Sequence, residues 1–300
     1  MTRLFERDGV EASAHSGRIA LVPTPLGNLG DLTLRALETL RKADVIACED
    51  TRVTRKLLSR FEISGKPLHA YHEHNARRVG PKLLALAAAG NLVAVVTDAG
   101  MPGVSDPGAD LVVAAREAGI PLDVLPGPCA FVSAAVLSGF AVVGLRFGGF
   151  LPRAAGARLA ALREAARSEG TSVWYESPQR IEQTLLDAER AGVTCCFLLR
   201  EYTKLHEQRL WGSPREVLEG LARPVRGELV LVIEGHGRPA AAAAGPAATQ
   251  QIDARIDALL AAGEGVAAIA RTLAAEGLGE RRALYDRASR RKAGAVTSRD

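Results

Sequence analysis

Short apolar runs alternate with longer amphipathic stretches along the first half of the chain. The runs are typical of buried strands, and we predict strands at residues 19–22, 45–48, 92–97 and 124–125, with a weaker one at 68–71. Leucines at the spacing of one helix face indicate helices around Leu34, Leu37 and Leu40, and around Leu83 and Leu84 before Gly90. Strands that alternate with helices form parallel sheets, so this half is predicted to be an α/β unit with a largely parallel sheet.

A second α/β unit is predicted after a glycine-rich segment, 147–152, which we interpret as a hinge. A helix is expected from Pro178 to about Arg190, and strands are expected at 172–175, 195–199, 209–211 and 228–233. The connection near Arg209 is short. Because short connections join antiparallel strands, strand directions in this unit are expected to be mixed.

The chain changes character after residue 235. Residues 236–248 are almost all alanine, glycine and proline, and we interpret 236–250 as a linker. Three helical patterns follow, near 252–261, 266–275 and 281–291. The last of them has a single acid, Asp286, and six basic residues, which are Arg281, Arg282, Arg287, Arg290, Arg291 and Lys292. It would either approach phosphates or remain a solvated terminal helix.

The predicted organisation has five parts. They are a polar N-terminal extension (1–17), an N-terminal α/β domain (18–146), a C-terminal α/β domain (147–235), the linker (236–250) and a basic helical C-terminal segment (251–300). A chain of 300 residues, of which 47% are hydrophobic, is long and apolar enough for two domains with buried cores.

Composition narrows the class of protein. The first 17 residues are polar, and no apolar run reaches the roughly 18 uncharged residues of a membrane span, so a cytoplasmic protein without a membrane partner is expected. The four cysteines lack the paired spacing of a zinc site or a disulfide framework, which fits a reducing compartment. The net charge of +4 does not by itself indicate a polyanionic partner, because acids are spread along the chain.

Three glycine- and proline-rich loops each follow a predicted strand and precede a helix. They are residues 23–31 (PTPLGNLGD), 98–103 (DAGMPG) and 126–130 (PGPCA). Glycine lets a backbone approach a ligand closely and proline fixes the shape of a loop. Ligands of open α/β sheets bind at the carboxyl ends of the strands. We therefore expect one pocket that all three loops line.

Common nucleotide and hydrolase motifs are missing from these loops. The first loop offers Gly27-x-x-Gly30 rather than the G-x-G-x-x-G of dinucleotide sites, and there is no Walker A pattern. Ser105 lacks the glycine two positions later that a nucleophile elbow needs. These observations argue against NAD, P-loop and serine hydrolase chemistry.

Two polar clusters follow predicted strands. Residues 49–52 (EDTR) open a helix, where they would cap it, face the cleft, or do both. The second cluster contains His69, His72, Glu73 and His74. Strand alternation sends Glu73 to the side opposite His72 and His74, so we predict no metal site there. A polar edge of the cleft and surface histidines without function both stay open. Residues 175–178 (YESP) would close the pocket from the second unit.

Many ordered motifs together resemble the ribosomal RNA small subunit methyltransferase I family, which belongs to the class III, tetrapyrrole-methylase-like methyltransferases. The resemblance covers about residues 19–235, and 283–285 are similar to the family's C-terminal helical segment. The motifs are 23–37, 49–52, 71–75, 98–100, 105–108, 126–128, 149–152, 175–178 and 200–201. The fold class implied is α/β, with two α/β domains of the class III (tetrapyrrole methylase) methyltransferase fold plus a small C-terminal helical segment.

The resemblance also implies an activity. It implies a homodimer that binds S-adenosylmethionine in the cleft between its domains. Its reaction would be methylation of the ribose 2′-hydroxyl of a decoding-centre cytidine in 16S rRNA, within the small ribosomal subunit. The cofactor-binding positions that the resemblance implies are Pro25 and Gly27 in the first loop, Asp98, Gly100 and Met101 in the second, Cys129 and Ala130 in the third, and Tyr175 in the second domain.

The chain departs from the family pattern at four positions. Met101 stands where the family usually has threonine, Val53 and Gln179 replace frequent histidines, and Tyr202 replaces a frequent leucine. A backbone contact by Met101 would survive the exchange, whereas a hydroxyl contact would not.

Methyl transfer to a ribose hydroxyl requires close positioning and removal of a proton. As the base we consider Glu49, Asp50, His72 and His74. Arg52 would steer phosphate or ribose.

Two other functions remain open. One is a tetrapyrrole C-methyltransferase of the same superfamily, with the same cofactor pocket and another acceptor. The other is a non-catalytic RNA-binding assembly factor that kept the fold. The basic C-terminal pattern and residues 71–75 favour RNA over a tetrapyrrole.

Overall fold

The computed structural model describes residues 17–235, 246–276, 278, 284–285 and 287–292. The first sheet is parallel throughout, as predicted, with the strand order β3-β2-β4-β1-β5. Its strands are β1 (Arg18–Leu21), β2 (Val45–Cys48), β3 (Leu68–Ala70), β4 (Leu92–Val96) and β5 (Leu122–Val124). β5 begins two residues earlier than the strand expected at 124–125 and ends one residue earlier.

Helices cover both faces of this sheet, which explains why its strands are apolar on both sides. The helices are α1 (Leu34–Lys42), α2 (Thr51–Arg60), α3 (Ala76–Ala88) and α4 (Ala109–Glu117). Leu40 of α1 and Leu58 of α2 pack against one face of the sheet. Leu83 of α3 and Leu111 of α4 pack against the other face. Thr33 caps α1 by accepting the Ala36 N–H at 3.1 Å.

The second sheet is mixed, as predicted, with the order β6-β7-β10-β8-β9. β6 and β7 are parallel, and the other three neighbouring pairs are antiparallel. The strands are β6 (Arg146–Phe150), β7 (Thr171–Glu176), β8 (Cys196–Arg200), β9 (Gln208–Gly212) and β10 (Leu229–Glu234). One face is covered by α6 (Ala155–Arg167), α7 (Ile181–Ala191) and α8 (Pro214–Gly220), and the other by α5 (Ala130–Ser138).

The segment 147–152, interpreted as a hinge from its glycines, is for the most part an edge strand. A Cβ on Gly148 would lie 2.2 Å from Cζ3 of Trp174, so the glycine is required by an indole packed directly on β6. Gly149 has φ +67°, and the register shifts between Phe147 and Phe150. Glycine in a strand marks a bulge or a close approach as often as a hinge, which is why the pattern was misleading.

The third glycine-rich loop carries the chain from one sheet to the other. α5, which follows this loop directly, packs Ala134 and Ala135 against β7, β8 and β10 of the second sheet. The expected domain boundary at residue 146 groups α5 with the first sheet, whereas its packing groups it with the second. The loop is therefore anchored at one end in each unit.

The C-terminal segment forms a small helical cluster of its own. α9 (Pro246–Ala261) includes the last five residues of the expected linker, and α10 (Val266–Ala275) follows. Ile256, Ile269 and Leu273 pack against Leu284 and Ala288. The rest of the linker, most of the N-terminal extension, and positions 281–283 and 286 of the last predicted helix lie outside the described residues. None of the helices in the described ranges has both the length and the apolar composition needed to cross a bilayer.

Candidate active site

The three glycine- and proline-rich loops line one cavity, which lies between the two sheets and which we call the central cavity. Its volume is about 310 Å³. The first loop contributes Leu26, the second contributes 99–101, and the third contributes Cys129 and Ala130. β6, β7 and the start of β10 complete the wall with residues that include Phe150, Tyr175 and Glu228. The predicted shared pocket is confirmed.

Backbone contacts hold the loops against one another. Thr24 and Gly100 exchange two N–H···O bonds of 2.9 and 3.0 Å, which join the first loop to the second. Gly100 has φ +82°, and a Cβ there would lie 3.1 Å from Leu26. A Cβ on Gly127 would lie 2.6 Å from Pro23, which joins the third loop to the first. The glycines therefore serve the approach of loop to loop, and the cavity wall is fixed in advance.

Five of the eight predicted cofactor-binding residues line the central cavity, namely Gly100, Met101, Cys129, Ala130 and Tyr175. The structure does not bring Pro25, Gly27 or Asp98 to its wall. Gly27 packs against the second unit instead, because a Cβ there would lie 2.4 Å from Cγ of Lys204. Asp98 accepts the backbone N–H of Asp50 at 3.1 Å and so links the ends of β4 and β2.

A second cavity of about 370 Å³ adjoins the first, and we call it the polar cavity. Glu49 at the end of β2, Tyr71 and Glu73 after β3, and residues 105–110 line it. Ser105 and Asp106 line both cavities. The site therefore has a mainly apolar compartment and a polar compartment that meet at one loop.

Three predicted catalytic residues lie at the start of α2, and their roles differ. Glu49 faces the polar cavity, and burial, reinforced by nearby Asp98, raises the pKa of its carboxyl group. Asp50 is the N-cap of α2 and accepts the Arg52 N–H at 2.7 Å. Arg52 Nη2 also lies 2.6 Å from Asp50 Oδ2, and these bonds lower the pKa of Asp50 to about 2. A carboxylate that is already bonded in this way is a weak base, so capping is the better account of Asp50.

The two predicted histidines follow β3. His72 Nε2 lies 3.2 Å from the side-chain nitrogen of Asn75, while its Nδ1 is buried without a hydrogen-bond partner in the described part of the chain. The rings of His72 and His74 are 6.0 Å apart. His74 is exposed, and neither ring lines the central or the polar cavity, so of the five predicted catalytic residues Glu49 is the one in the wall of these two cavities.

The sequence reasoning missed Asp106. Burial raises the pKa of its carboxyl group to about 7, and the negative charges of Glu49, Asp98 and Glu228 act in the same direction. The available signal was the motif 105–108, but Ser105 was considered there as a nucleophile and the Asp-Pro pair has the composition of an ordinary turn.

Comparison with known proteins agrees with the fold. The model of the family Tetrapyrrole (Corrin/Porphyrin) Methylases matches residues 18–218. A protein of Halalkalibacterium halodurans named ribosomal RNA small subunit methyltransferase I is 43% identical over 223 residues, which are 74% of this chain and 77% of that protein. The protein of the same name from Thermotoga maritima is 41% identical over 222 residues, 73% of this chain and 99% of its own. This chain belongs to the ribosomal RNA small subunit methyltransferase I family.

Solved structures support the fold of this methyltransferase family member. Uroporphyrin-III C-methyltransferase from Thermus thermophilus has a TM-score of 0.51 and 24% identity, over 72% of this chain and 94% of that one. Cobalt precorrin-4 methyltransferase has a TM-score of 0.55 and 16% identity, over 76% and 99%. A further structure of the Thermus enzyme, a complex with S-adenyl homocysteine, has a TM-score of 0.51 and 23% identity, over 74% and 98%.

The departures from the family pattern differ in how close they lie to the site. Met101 lines the central cavity. Val53 is 39% exposed on α2, Gln179 lies just after β7, and neither side chain lines the central or the polar cavity. Tyr202 packs against the core between α5 and the second sheet. Met101 is therefore the departure that directly alters a wall of this family member's cavity.

Proposed function

We propose that this protein is an S-adenosylmethionine-dependent methyltransferase of the cytoplasm, acting on the ribose 2′-hydroxyl of a decoding-centre cytidine in 16S rRNA within the small ribosomal subunit. The curated relatives carry the name of a small-subunit rRNA methyltransferase, and the chain covers most of their length. The observation that supports this proposal best is the junction of a mainly apolar cavity with a polar one. A methyl donor and a hydroxylated acceptor need two such neighbouring compartments.

The central cavity has the size and chemistry for the methyl donor. Its volume of about 310 Å³ lies in the range of small-ligand sites. The rings of Phe150 and Tyr175, with centroids 5.6 Å apart, offer an aromatic wall for an adenine. Asp106 and Glu228 bring negative charge for a sulfonium and an ammonium group. When bound, the donor supplies a methyl group on a positively charged sulfur.

The protein's own contribution is mainly positioning. The Thr24–Gly100 backbone pair and the contact between Gly127 and Pro23 fix the three loops before any ligand arrives. Pre-arranged walls that hold two reactants in line can supply a large part of a rate enhancement. Glu49, in the wall of the polar cavity, is placed to orient the acceptor ribose by accepting a hydrogen bond.

α2 offers a surface for the phosphates of the RNA. Arg52, Arg55, Lys56 and Arg60 line a shallow groove on it, and the helix contains no acid. Within the described ranges, Arg52 is paired with Asp50, whereas no carboxylate forms an ion pair with Arg55, Lys56 or Arg60. The helix begins two residues after Glu49, so this groove extends away from the polar cavity. Unpaired cations next to an active site are suited to bind a nucleic acid backbone.

We also propose that the protein acts as a homodimer. Exposed valines lie on and just after α5, and the exposed Trp211 of β9 is held at the end of this helix, where its indole N–H donates to Ser138 O at 3.1 Å. These valines are Val132, Val136, Val142 and Val143, and Val143 is 87% exposed. A second copy of the chain would bury these apolar side chains. V136E with V143E should then yield monomers in light scattering, and an unchanged mass would contradict this interface.

The deciding experiment measures methyl transfer directly. Purified small subunits from cells lacking this protein are incubated with it and with labelled S-adenosylmethionine, and 2′-O-methyl groups are mapped along 16S rRNA. We expect one new mark, at a cytidine of the decoding centre. Donor binding without any mark would favour another acceptor such as a tetrapyrrole, and the absence of donor binding in calorimetry would favour a non-catalytic assembly factor.

A further inference from the structure

The two cavities meet at a strained loop. Gly103, Ser105 and Gly108 all have positive φ, of +85°, +61° and +141°. Ser105 has the unfavourable backbone conformation of the three, because a residue with a side chain loses about 1–2 kcal/mol in the left-handed region. Such conformations persist where the surrounding structure fixes them, and they are concentrated at functional sites. A donor in the central cavity and an acceptor in the polar cavity would meet beside this loop.

Asp106 is the basic group at this junction. Of the described residues, Ser105 and Asp106 line both cavities, and a serine hydroxyl holds its proton too strongly to act as a base unaided. No hydrogen-bond donor or cation of the described chain contacts the Asp106 carboxylate. Its two free oxygens are therefore available to a ligand.

The other carboxylates of the site are less well placed. Glu49 lines only the polar cavity, and Glu228 lines only the central cavity. Glu228 also pairs with Lys204, with Oε2 and Nζ 3.2 Å apart. Asp98 lines neither cavity and accepts the Asp50 N–H. Asp106 thus differs from Glu49, Glu228 and Asp98 in lining both cavities.

We propose that Asp106 is the general base that removes the proton of the acceptor hydroxyl during methyl transfer. This inference rests on the proposed function, and it replaces Glu49, Asp50, His72 and His74 as the candidate base. Glu49 then acts through its charge and its contact with the acceptor.

The step balances with Asp106 as the proton acceptor. The hydroxyl oxygen forms a bond to the methyl carbon while the methyl–sulfur bond breaks, and the electron pair of that bond stays on sulfur. The O–H bond breaks in the same step, and its proton moves to a carboxylate oxygen of Asp106. Water in the polar cavity then takes the proton away, which restores the carboxylate.

The surroundings of Asp106 adjust its basicity. Burial raises the pKa of the carboxyl group to about 7, and three acids from other elements add to this, which are Glu49 after β2, Asp98 after β4 and Glu228 before β10. Tyr175 of β7 is neutral there, because burial raises the pKa of its phenol. Glu73 and Asp110 are the other acids of the polar cavity. A base whose pKa lies close to the working pH is efficient in proton transfer.

The first test is the pH dependence of a single turnover on small subunits. For the wild type we expect a rate that rises with pH to a plateau, with a midpoint near 7. D106N should lower the plateau by about 10²–10⁴-fold, the usual contribution of a general base. E49Q should move the midpoint to lower pH, because it removes a like charge. D110N should leave the midpoint where it is, because the charge of Asp110 is not among those that raise the pKa of Asp106.

The second test does not depend on turnover. Protein labelled with ¹³C at aspartate carboxyl groups is titrated by NMR, and the Asp106 signal is assigned from its loss in D106N. We expect a midpoint near 7 without ligand. S-adenosylmethionine should lower it further than S-adenosylhomocysteine does, because only the former carries a positive sulfur. Circular dichroism and retained binding of S-adenosylhomocysteine, whose sulfur is uncharged, verify that D106N is folded.

Two outcomes would overturn the inference: D106N with the wild-type rate and midpoint, or an Asp106 signal that titrates near 4. Failure of the proposed function is distinguishable from both, because it means that the wild type itself transfers no methyl group to 16S rRNA. A D106N protein that is folded and still binds S-adenosylhomocysteine but is slow, together with an E49Q midpoint at lower pH, supports the inference.

Discussion

Two helical stretches of this protein are rich in basic residues, and they differ in how much of that charge is free. In α2, Arg55, Lys56 and Arg60 form no ion pair within the described ranges. In the terminal stretch 287–292, Arg287 and Arg291 are paired with acids of α9. Arg287 Nε lies 2.6 Å from Asp253 Oδ1, and Arg291 pairs with both Asp253 and Asp257.

The number of basic residues in a stretch does not determine how many of them are available to RNA phosphates. The terminal pairs connect residues 34 positions apart and help to hold the last helical stretch on α9. A phosphate would have to displace a carboxylate there, whereas on α2 it would displace only water and counterions. We therefore expect α2 to contribute most of the electrostatic binding of RNA, although the terminal pattern contains more basic residues.

The largest effect on RNA binding is expected when the unpaired basic residues of α2 are neutralised. R55Q with K56Q and R60Q should weaken binding to small subunits by about 100-fold and reduce the slope of log K against log salt by about 2–3, since each phosphate contact contributes about one. Filter binding over a series of salt concentrations measures both. The matched control is R163Q with R167Q, two exposed cations of α6 without an ion pair in the described part of the chain. An equal loss in the control would refute a special role for α2.

A smaller effect, of opposite sign, is expected from the terminal stretch. D253N with D257N removes the carboxylates that hold Arg287 and Arg291, and exposed cations should then strengthen RNA binding by about 3-fold, or roughly 0.7 kcal/mol. The same filter-binding assay applies. Weaker or unchanged binding, with an intact far-UV spectrum, would mean that pairing does not limit the availability of these arginines.

The smallest effect concerns pH and the stability of the terminal packing. Hydrogen bonds from Arg287 and Arg291 lower the pKa values of Asp253 and Asp257 below 3.8. A group with a lowered folded pKa stabilises the fold above its unfolded pKa and loses that contribution as the pH falls. Amide exchange in residues 287–292, corrected for the intrinsic rate, should therefore become less protected below about pH 4. Protection that is constant down to lower pH would contradict this account.

Much of the fold could be predicted from sequence because its signals are local. Strands buried on both faces are continuous apolar runs, and the β1, β2 and β4 predictions agree with the structure within one residue. β6 was misread because Gly148 is required by a contact with Trp174, which lies 26 residues later in the chain. Glycines in a sequence indicate conformational freedom, but they do not reveal which distant side chain packs against them.

The site could be predicted only in part for the same reason. The convergence of three loops follows from strand topology, which the alternation of strands and helices reveals. The importance of Asp106 depends on the meeting of two cavities and on three acids that come from separate parts of the chain. The paired state of Arg287 and Arg291 likewise depends on α9. Their residue types were visible in the sequence, whereas their neighbours were not.

The path of the third glycine-rich loop has a consequence for catalytic turnover. Residues 126–130 leave the first sheet, touch Pro23, supply Cys129 and Ala130 to the central cavity, and enter α5 beneath the second sheet. Any separation of the two α/β units must therefore widen the central cavity. The opening of the two units and the replacement of S-adenosylhomocysteine by S-adenosylmethionine would then be one motion. We expect fluorophores on α1 and α7 to move closer together when S-adenosylmethionine is added, which raises the efficiency of energy transfer between them. An unchanged efficiency would show that the two units exchange this ligand without moving.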